Sequence, residues 1–260
     1  MEKITARENQ NIKRVVRLIS SKKARDESGF FVAEGIKLCT EALAAGIRIT
    51  ELYCTAAALE KYKKEILLLC QNAEAVTEIT DDISSKLAET VTPQGVFAVC
   101  ATPQSELLED DLPQGHYIAL EALQDPGNLG TVIRTADALG ADGIILTAEC
   151  PDIFSPKVLR STMGSAFRVK ICRTKNLAGL LHSCNKTHVT FAATLNEKAV
   201  SLRACSFAGS AIVAIGNEGN GLSQCVIDAC SKSLIIDMKG GAESLNAAIA
   251  ASIILWEMSK

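Results

Sequence analysis

Between residues 9 and 20 the apolar side chains fall at Ile12, Val15, Val16 and Ile19. That three-to-four spacing is one face of a helix, and it predicts a helix over 9–20. The pattern then changes period. Runs at 29–33, 51–54, 76–79 and 96–100 read as strands, with helices expected over 35–45, near 57–70 and near 81–89. Strands alternating with helices predict an α/β layer. Over 101–115 (ATPQSELLEDDLPQG) the stretch is acidic, holds two prolines and has few bulky apolar residues, which marks a linker. From 116 the alternation resumes with longer apolar runs, at 117–122, 143–147, 169–172, 188–194, 211–215 and 233–238. Such near-continuous hydrophobicity belongs to strands covered on both faces, as in a parallel sheet. Two α/β domains are expected, at 1–100 and 116–260. The second is read as a doubly wound sheet with its ligand at the strand ends.

Composition changes little in that picture. A chain of 260 residues with 48% hydrophobic and 22% charged residues is ordinary for a globular protein with one large or two modest domains. No apolar run reaches the roughly 18 residues that span a bilayer, and the first eight residues carry charges where a signal peptide is apolar. A cytoplasmic protein away from membranes is expected. The ten cysteines have no Cys-x-x-Cys and no paired histidine spacing, and most sit inside apolar segments. They read as small buried hydrophobes in a reducing compartment, with no metal site. Net charge is −3, yet Lys13, Arg14, Arg17, Lys22, Lys23 and Arg25 lie close together with no acid between the first and the last. A solvated helix face is the plain reading of that cluster; a footprint for a phosphate backbone is the functional one.

Three segments hold the candidate chemistry. In Asp125-Pro126-Gly127-Asn128, Pro-Gly makes a turn and Asn128 is placed to cap a helix over 129–139. Leu129, Val132, Ile133, Ala136 and Leu139 form that helix's buried stripe, and Arg134 lies off it. Gly216-Asn217-Glu218-Gly219-Asn220-Gly221 follows a strand and brings backbone N–H groups near a ligand. With Asp237 about twenty residues on, it faintly suggests a dinucleotide site. However, the glycines run G-x-x-G-x-G, no Walker motif is present, and a glutamate beside a pyrophosphate is repulsive. In the third segment, 235–246, an apolar strand enters a glycine turn, then Ser244-Leu245-Asn246, then an alanine-rich helix over 247–258. Ser244 suits a helix cap, and Ala247, Ala248, Ala250 and Ala251 permit close approach of another backbone, in the core or at a dimer interface.

In order and spacing the three segments resemble the motifs of the SpoU (TrmH-like) branch of the SPOUT RNA ribose 2'-O-methyltransferases. The stretch Pro156-Lys157-Val158-Leu159-Arg160-Ser161-Thr162-Met163-Gly164-Ser165-Ala166-Phe167-Arg168, between the first and second motifs, also looks like that family. Residues 23–35 resemble the opening of its RNA-binding substrate domain, which is similar to the ribosomal protein L30e fold. The likeness covers roughly residues 10 to 258. It implies an α/β architecture with a C-terminal SPOUT α/β-knot, a deep trefoil knot, joined to a smaller N-terminal L30e-like domain. It further implies an S-adenosylmethionine-dependent RNA ribose 2'-O-methyltransferase that works as a homodimer. A separate N-terminal domain fits large-subunit rRNA as substrate better than tRNA.

By that resemblance Arg134 is the central catalytic residue, with Asn128, Glu218, Ser244 and Asn246 around it. Leu195, Gly216, Ile236, Met238 and Leu245 would hold the cofactor, where an anion such as Glu218 suits a sulfonium. Lys22, Lys23 and Arg25 would face RNA. A guanidinium is effectively never deprotonated, so Arg134 is expected to clamp a phosphate and to stabilise charge developing on the ribose oxygen. Two other classes stay open: an RNA-binding adaptor of the same fold without chemistry, and a nicotinamide oxidoreductase resting on the glycine loop alone.

Overall fold

Short apolar runs alternate with capped helices along the computed structural model, which describes residues 2–103, 107, 112–196, 199–241 and 243–260. The first part holds β1 (Glu2–Ile4), α1 (Gln10–Ser20), α2 (Lys22–Ser28), β2 (Phe30–Glu34), α3 (Ile36–Ala44), β3 (Ile49–Thr55), α4 (Ala56–Lys61), α5 (Lys63–Asn72), β4 (Ala73–Ile79), α6 (Asp81–Leu87) and β5 (Val96–Ala101). There follow β6 (His116–Leu120), α7 (Pro126–Leu139), β7 (Gly143–Thr147), α8 (Pro156–Thr162), β8 (Ile171–Thr174), α9 (Leu177–Cys184), β9 (Val189–Ala193), β10 (Val200–Ser201), β11 (Ala211–Ile215), α10 (Gln224–Ala229), β12 (Lys232–Ile235) and α11 (Ala247–Met258). The linker expected over 101–115 lies partly outside the described residues.

The chain forms two compact units, and they do not follow a single cut in the sequence. The first is Met1–Gln104 with Asp152–Arg168; the second is Ser105–Pro151 with Val169–Lys260. Aromatic and charged side chains tie the later segment into the first unit. Phe154 and Phe167 stack on the buried Phe31, with ring centroids 4.7 and 5.8 Å away. Asp152 pairs with Arg25 at 2.6 Å, and Glu41 pairs with Arg168 at 2.6 Å. Hydrophobic periodicity carries no sign of this excursion, because α8 presents an ordinary amphipathic turn.

In the first unit the described strands run β1-β4-β3-β5-β2, parallel as far as β3 and antiparallel beyond it. Helix α1 buries Ile12, Val15 and Leu18, with Val16 and Ile19 half-buried beside them, so the true stripe is turned slightly from the expected one. Each such side chain fully removed from water stabilises the unit by about 1.5–3 kcal/mol. The helix expected near 57–70 is two, α4 and α5, broken at Tyr62.

In the second unit the described strands run β10-β12-β9-β11-β6-β7-β8, every neighbouring pair parallel. Strands β7 and β11 are buried at every position, as their unbroken apolar runs require. This is the α/β class and mostly parallel sheet that the sequence leads one to expect. The ten cysteines are free thiols, six of them buried. Among the described residues, no helix is long and apolar enough to cross a membrane.

Candidate active site

The segments that follow β9, β11 and β12 leave the sheet at the same ends of parallel strands and surround one cavity of about 630 Å3. Its position obeys the rule that open parallel sheets bind ligands beyond their carboxyl ends. Leu195, Gly216, Ile236, Met238 and Leu245, the five expected cofactor residues, all line it, and so do Glu218, Ser244 and Asn246.

The glycine loop is a closed turn. Asn217 N–H donates to the Gly221 carbonyl at 3.0 Å, and Gly221 N–H returns the bond at 2.9 Å. This brings the two strands of the turn so close that a Cβ on Gly216 would overlap the backbone of Gly221 and Leu222. Only glycine fits there. The Asn217 side chain holds the turn from within. Its Oδ1 accepts from Gly219 N–H (2.8 Å) and Asn220 N–H (3.2 Å), while its Nδ2 donates to the Ala122 carbonyl at 2.8 Å. Ala122 sits at φ 50°, a left-handed conformation that a non-glycine residue adopts at a cost. A second bond, from its N–H to Thr147 Oγ1 at 3.0 Å, keeps it there. The strained turn swings the chain after β6 towards Glu218.

Glu218 links the motifs. Its carboxylate accepts from Gln124 N–H at 3.1 Å, from Asp125 N–H at 3.4 Å and from Asn128 Nδ2 at 2.8 Å. Asn128 Oδ1 in turn accepts from Asn246 Nδ2 at 3.1 Å, and Asn246 Oδ1 caps α11 by accepting from Ala248 and Ile249 N–H. One hydrogen-bonded chain therefore connects all three motifs, with both ends of each amide engaged. Partial burial raises the Glu218 pKa, but the bonds from Asn128, Gln124 and Asp125 outweigh it, and the net shift is downward. A carboxylate so held stays ionised and is a poor proton acceptor. It orients and contributes negative charge.

Three polar groups remain available. Ser244 lines the cavity and is exposed. Thr194 also lines it, and its buried hydroxyl has no hydrogen-bond partner among the described residues. Arg134 is exposed on α7, outside the cavity lining, and makes no hydrogen bond or ion pair within the described residues. It stands beside Thr135, whose Oγ1 lies 3.1 Å from Ser252 Oγ on α11. On α11, Ala247, Ala248 and Ala251 pack inward, whereas Ile249 (49% exposed), Ile253 (37%) and Trp256 (56%) form an outward apolar stripe at helical spacing. The alanines serve the core, and the large side chains are left without a partner.

Several expectations need correction. Asn128 does not cap α7; the helix starts earlier, at Pro126, and Asp125 caps it by accepting from Asn128 N–H at 2.8 Å. The Asp-Pro pair was the available signal, since proline favours the first helical position. Ser244 does not cap α11 either, because Asn246 does. Arg25 does not face RNA. It is 6% exposed, its Nε donates to Asp152 at 2.6 Å and its Nη1 to the Leu18 and Ile19 carbonyls at 2.5 and 2.9 Å, so three of its five donors are spent inside the first unit. Lys22 and Lys23 are exposed, and Lys23 lies 3.6 Å from Glu27. Lys13 and Arg14 pair with Glu8 and Glu51, acids that folding supplies from outside the cluster. Sequence reading missed Asn217 and Thr147 as supports of the site. Asn217 was legible as an asparagine two residues before a glycine, the pattern of a side-chain turn; Thr147 carried no signal.

Comparison with known proteins agrees with this geometry. Residues 115–256 match the model of the SpoU rRNA Methylase family, and residues 9–98 match that of an MRM3-like substrate binding domain. The chain is similar to the Bacillus subtilis 23S rRNA (guanosine(2553)-2'-O)-methyltransferase RlmP, 31% identical over 258 residues that cover 99% of each chain. Among solved structures it resembles an AdoMet-bound rRNA methyltransferase from Sinorhizobium meliloti, with TM-score 0.86 and 33% identity over 99% of this chain and 97% of that one. It also resembles the SpoU methyltransferase AviRb from Streptomyces viridochromogenes in complex with AdoMet, with TM-score 0.85 and 26% identity over 96% and 97% of the two chains.

Proposed function

This chain belongs to the SpoU rRNA methylase family, and from that premise we propose that it is an S-adenosylmethionine-dependent RNA ribose 2'-O-methyltransferase acting on large-subunit rRNA. The observation that carries the reading is the hydrogen-bonded chain Glu218–Asn128–Asn246, which joins three separate motifs at the rim of one cavity.

The residues present fit the cofactor. A cavity of about 630 Å3 lies within the roughly 300–1,000 Å3 span of small-ligand sites. Leu195, Ile236 and Leu245 give it apolar walls, Thr194 offers a hydroxyl unpaired among the described residues, and Gly216, where a Cβ would overlap Gly221 and Leu222, lets the turn close beside it. When bound, S-adenosylmethionine supplies an already activated methyl group. The protein is left with positioning, charge and the proton of a poor acid. Glu218, held ionised, balances positive charge at the cavity rim and fixes Asn128. Asn128 and Asn246 hold each other's amides and so set the start of α7 relative to the start of α11. Ser244 presents its hydroxyl to the cavity, within reach of a ribose or the cofactor.

Arg134 gives the guanidinium that grips a phosphate beside the reacting ribose and stabilises charge on its O2'. Since it stands outside the cavity of its own chain, next to helix α11 with its unpartnered Ile249, Ile253 and Trp256, the working form is a homodimer in which each subunit lends Arg134 to the other. The substrate RNA is held by the first unit.

The test follows labelled methyl from S-adenosylmethionine into separated rRNA and tRNA taken from cells lacking the enzyme, with Arg134→Ala as control. Label recovered from large-subunit rRNA as an alkali-resistant 2'-O-methyl dinucleotide, and lost with the variant, is the expected result. Label in tRNA alone would overturn the substrate assignment, and label on a base would overturn the reaction.

A further inference from the structure

The stretch from Pro156 to Arg168 plays no part in the site above, yet it builds one wall of a second cavity, inside the first unit. This cavity measures about 340 Å3 and is lined by Glu34, Gly35, Lys37, Leu38, Thr90, Thr92, Gln94, Arg160 and Met163. We propose that it holds one unpaired nucleotide of the RNA substrate, with guanosine preferred. The proposal rests on the reading of the first unit as the part that grips RNA.

The chemistry follows from which groups are already engaged. The carboxylate and amide acceptors in the wall each already take a bond: Glu34 Oε1 takes the Thr90 hydroxyl at 2.6 Å, Glu34 Oε2 takes Glu89 N–H at 3.1 Å, and Gln94 Oε1 takes Ile36 N–H at 2.9 Å. The donors are not. Among the described residues, Lys37 makes no ion pair, and the Gln94 amide nitrogen and the Thr92 hydroxyl have no partner. Arg160 has its Nη1 buried 3.5 Å from Glu34 without a hydrogen bond, which fixes the guanidinium, while a third of the side chain remains exposed. A wall whose cationic and amide donors are free while its acceptors are already engaged once favours a ligand edge made of acceptors. Guanine presents such an edge in O6 and N7, which a guanidinium reads in fork geometry; adenine and cytosine place an amino donor there. Lys37, in the first turn of helix α3, suits the phosphate.

Leu38 and Met163 supply the apolar surface against which a base lies. Met163 is 43% exposed at φ 54°, a left-handed position where glycine or asparagine is the easier choice. That conformation places a soft apolar side chain, half in water, on the cavity wall. The cavity is large enough for one nucleotide and too small for a duplex, and it draws Arg160 and Met163 from the segment that departs from the sequence order of the domains.

Fluorescence anisotropy of labelled oligouridine hexamers, carrying one guanosine, one adenosine or neither, tests the site on the full chain. The guanosine hexamer is expected to bind tightest. Arg160→Lys keeps the charge and loses the fork, so it should erase the guanosine preference with little effect on oligouridine. Lys37→Gln should weaken all three hexamers alike and lower the slope of log K against log salt by about 0.7, the value of one single-strand phosphate contact. Met163→Asn retains the backbone conformation, so the melting temperature should hold while affinity falls by about tenfold, the scale of one lost base contact. S-adenosylhomocysteine binding, read in parallel, should be unchanged in all three variants. Hexamer binding identical to the unaltered protein in these variants overturns the nucleotide site, as does the absence of binding of any hexamer. Neither result touches the methyl transfer, which is scored separately. A protein that transfers no methyl to any RNA fails the function proposed above while the hexamers still decide this cavity.

Discussion

Two regions on the second unit, one at the start of α7 and one midway along it, are built on opposite principles. At the helix start, Asn128 has both ends of its amide engaged, by Glu218 and by Asn246, and every motif is tied to the next. Six residues on, Arg134 is exposed and has no partner among the described residues, beside a helix whose Ile249, Ile253 and Trp256 face outward. The first region is preorganised within one chain, which is how a site avoids reorganisation during reaction. The second is open to solvent. The difference supports the roles proposed above: the wired start shapes the cavity, and the open stretch is free to meet RNA phosphate and, in the proposed homodimer, a second subunit.

The sharpest way to break the wired region is Gly216→Ala. A Cβ there overlaps backbone at Gly221 and Leu222, and no side chain can move aside to absorb it. The turn that carries Glu218 must shift, with an overpacking cost of about 1–3 kcal/mol. Cofactor binding should be lost with it. In a thermal-shift assay, S-adenosylhomocysteine at a hundred times its Kd adds about 2.7 kcal/mol of stability to a binding-competent protein. The variant should gain none of this, and a normal ligand-induced shift would mean that the cavity is not the cofactor site.

The open region is tested by Arg134→Ala. An exposed, unpartnered side chain contributes within about 0.5 kcal/mol to stability, so the melting temperature should not move. Activity should fall by about 10²–10³-fold, the effect of removing one donor aimed at developing charge. Arg134→Lys should lose most activity too, because the planar fork goes. Mixing Arg134→Ala subunits with Gly216→Ala subunits then separates the two regions. Heterodimers keep one intact cavity facing one intact arginine and should regain part of the activity. No regain would place Arg134 in the site of its own chain.

Trp256→Ala has a smaller expected effect on the same face. Buried aromatic anchors at an interface are worth about 2 kcal/mol or more on truncation, so the dimer should dissociate at roughly thirty times the concentration of the unaltered protein. Sedimentation at several concentrations measures it. A mass unchanged across the range in both proteins would leave the apolar stripe without the proposed partner.

How far the sequence foretold these regions differs between them for physical reasons. Unbroken apolar runs such as 211–215 and 143–147 identified buried parallel strands, and the final helix is found at its expected bounds. Of the five expected cofactor positions, Gly216, Ile236 and Leu245 came through resemblance and Leu195 and Met238 were added to them for their backbone groups; all five meet at one cavity. Periodicity has no memory of the order in which a chain threads itself, so it led to a doubly wound sheet, and the knot was reachable through the family. Electrostatic reading failed where charge balance is tertiary. No acid lies between Lys13 and Arg25 in sequence, yet Glu8, Glu51, Glu27 and Asp152 reach Lys13, Arg14, Lys23 and Arg25 in the fold. Arg25 became a buried strut of the first unit in consequence. The packing of residues 152–168 with the first compact unit was illegible for the same reason, since Asp152, Phe154 and Phe167 find their partners more than a hundred residues earlier.

Glu218 is the subtlest test of the wired region, because substitution by glutamine keeps size and one acceptor oxygen. In Glu218→Gln the oxygen can still serve Asn128 or Asp125 but not both they and Gln124, and the negative charge at the cavity rim is gone. A cofactor with a sulfonium should lose more affinity than its neutral product, by several-fold, since one charge-assisted contact at an exposed rim is worth about 1 kcal/mol. The pH dependence fixes the sign. The pKa of Glu218 is lowered in the folded protein, so its stabilising contribution is fully present above the ordinary carboxyl range and is lost as pH falls through the lower, folded-state value. The ratio of S-adenosylmethionine to S-adenosylhomocysteine affinity should therefore be flat from neutrality down to roughly pH 5, and should drop only below the ordinary carboxyl value of about 4.3. In the glutamine variant that acid limb should disappear. A ratio that instead changes near neutrality would mean that Glu218 gains a proton in the working range, and would return it to consideration as the group that accepts the ribose proton.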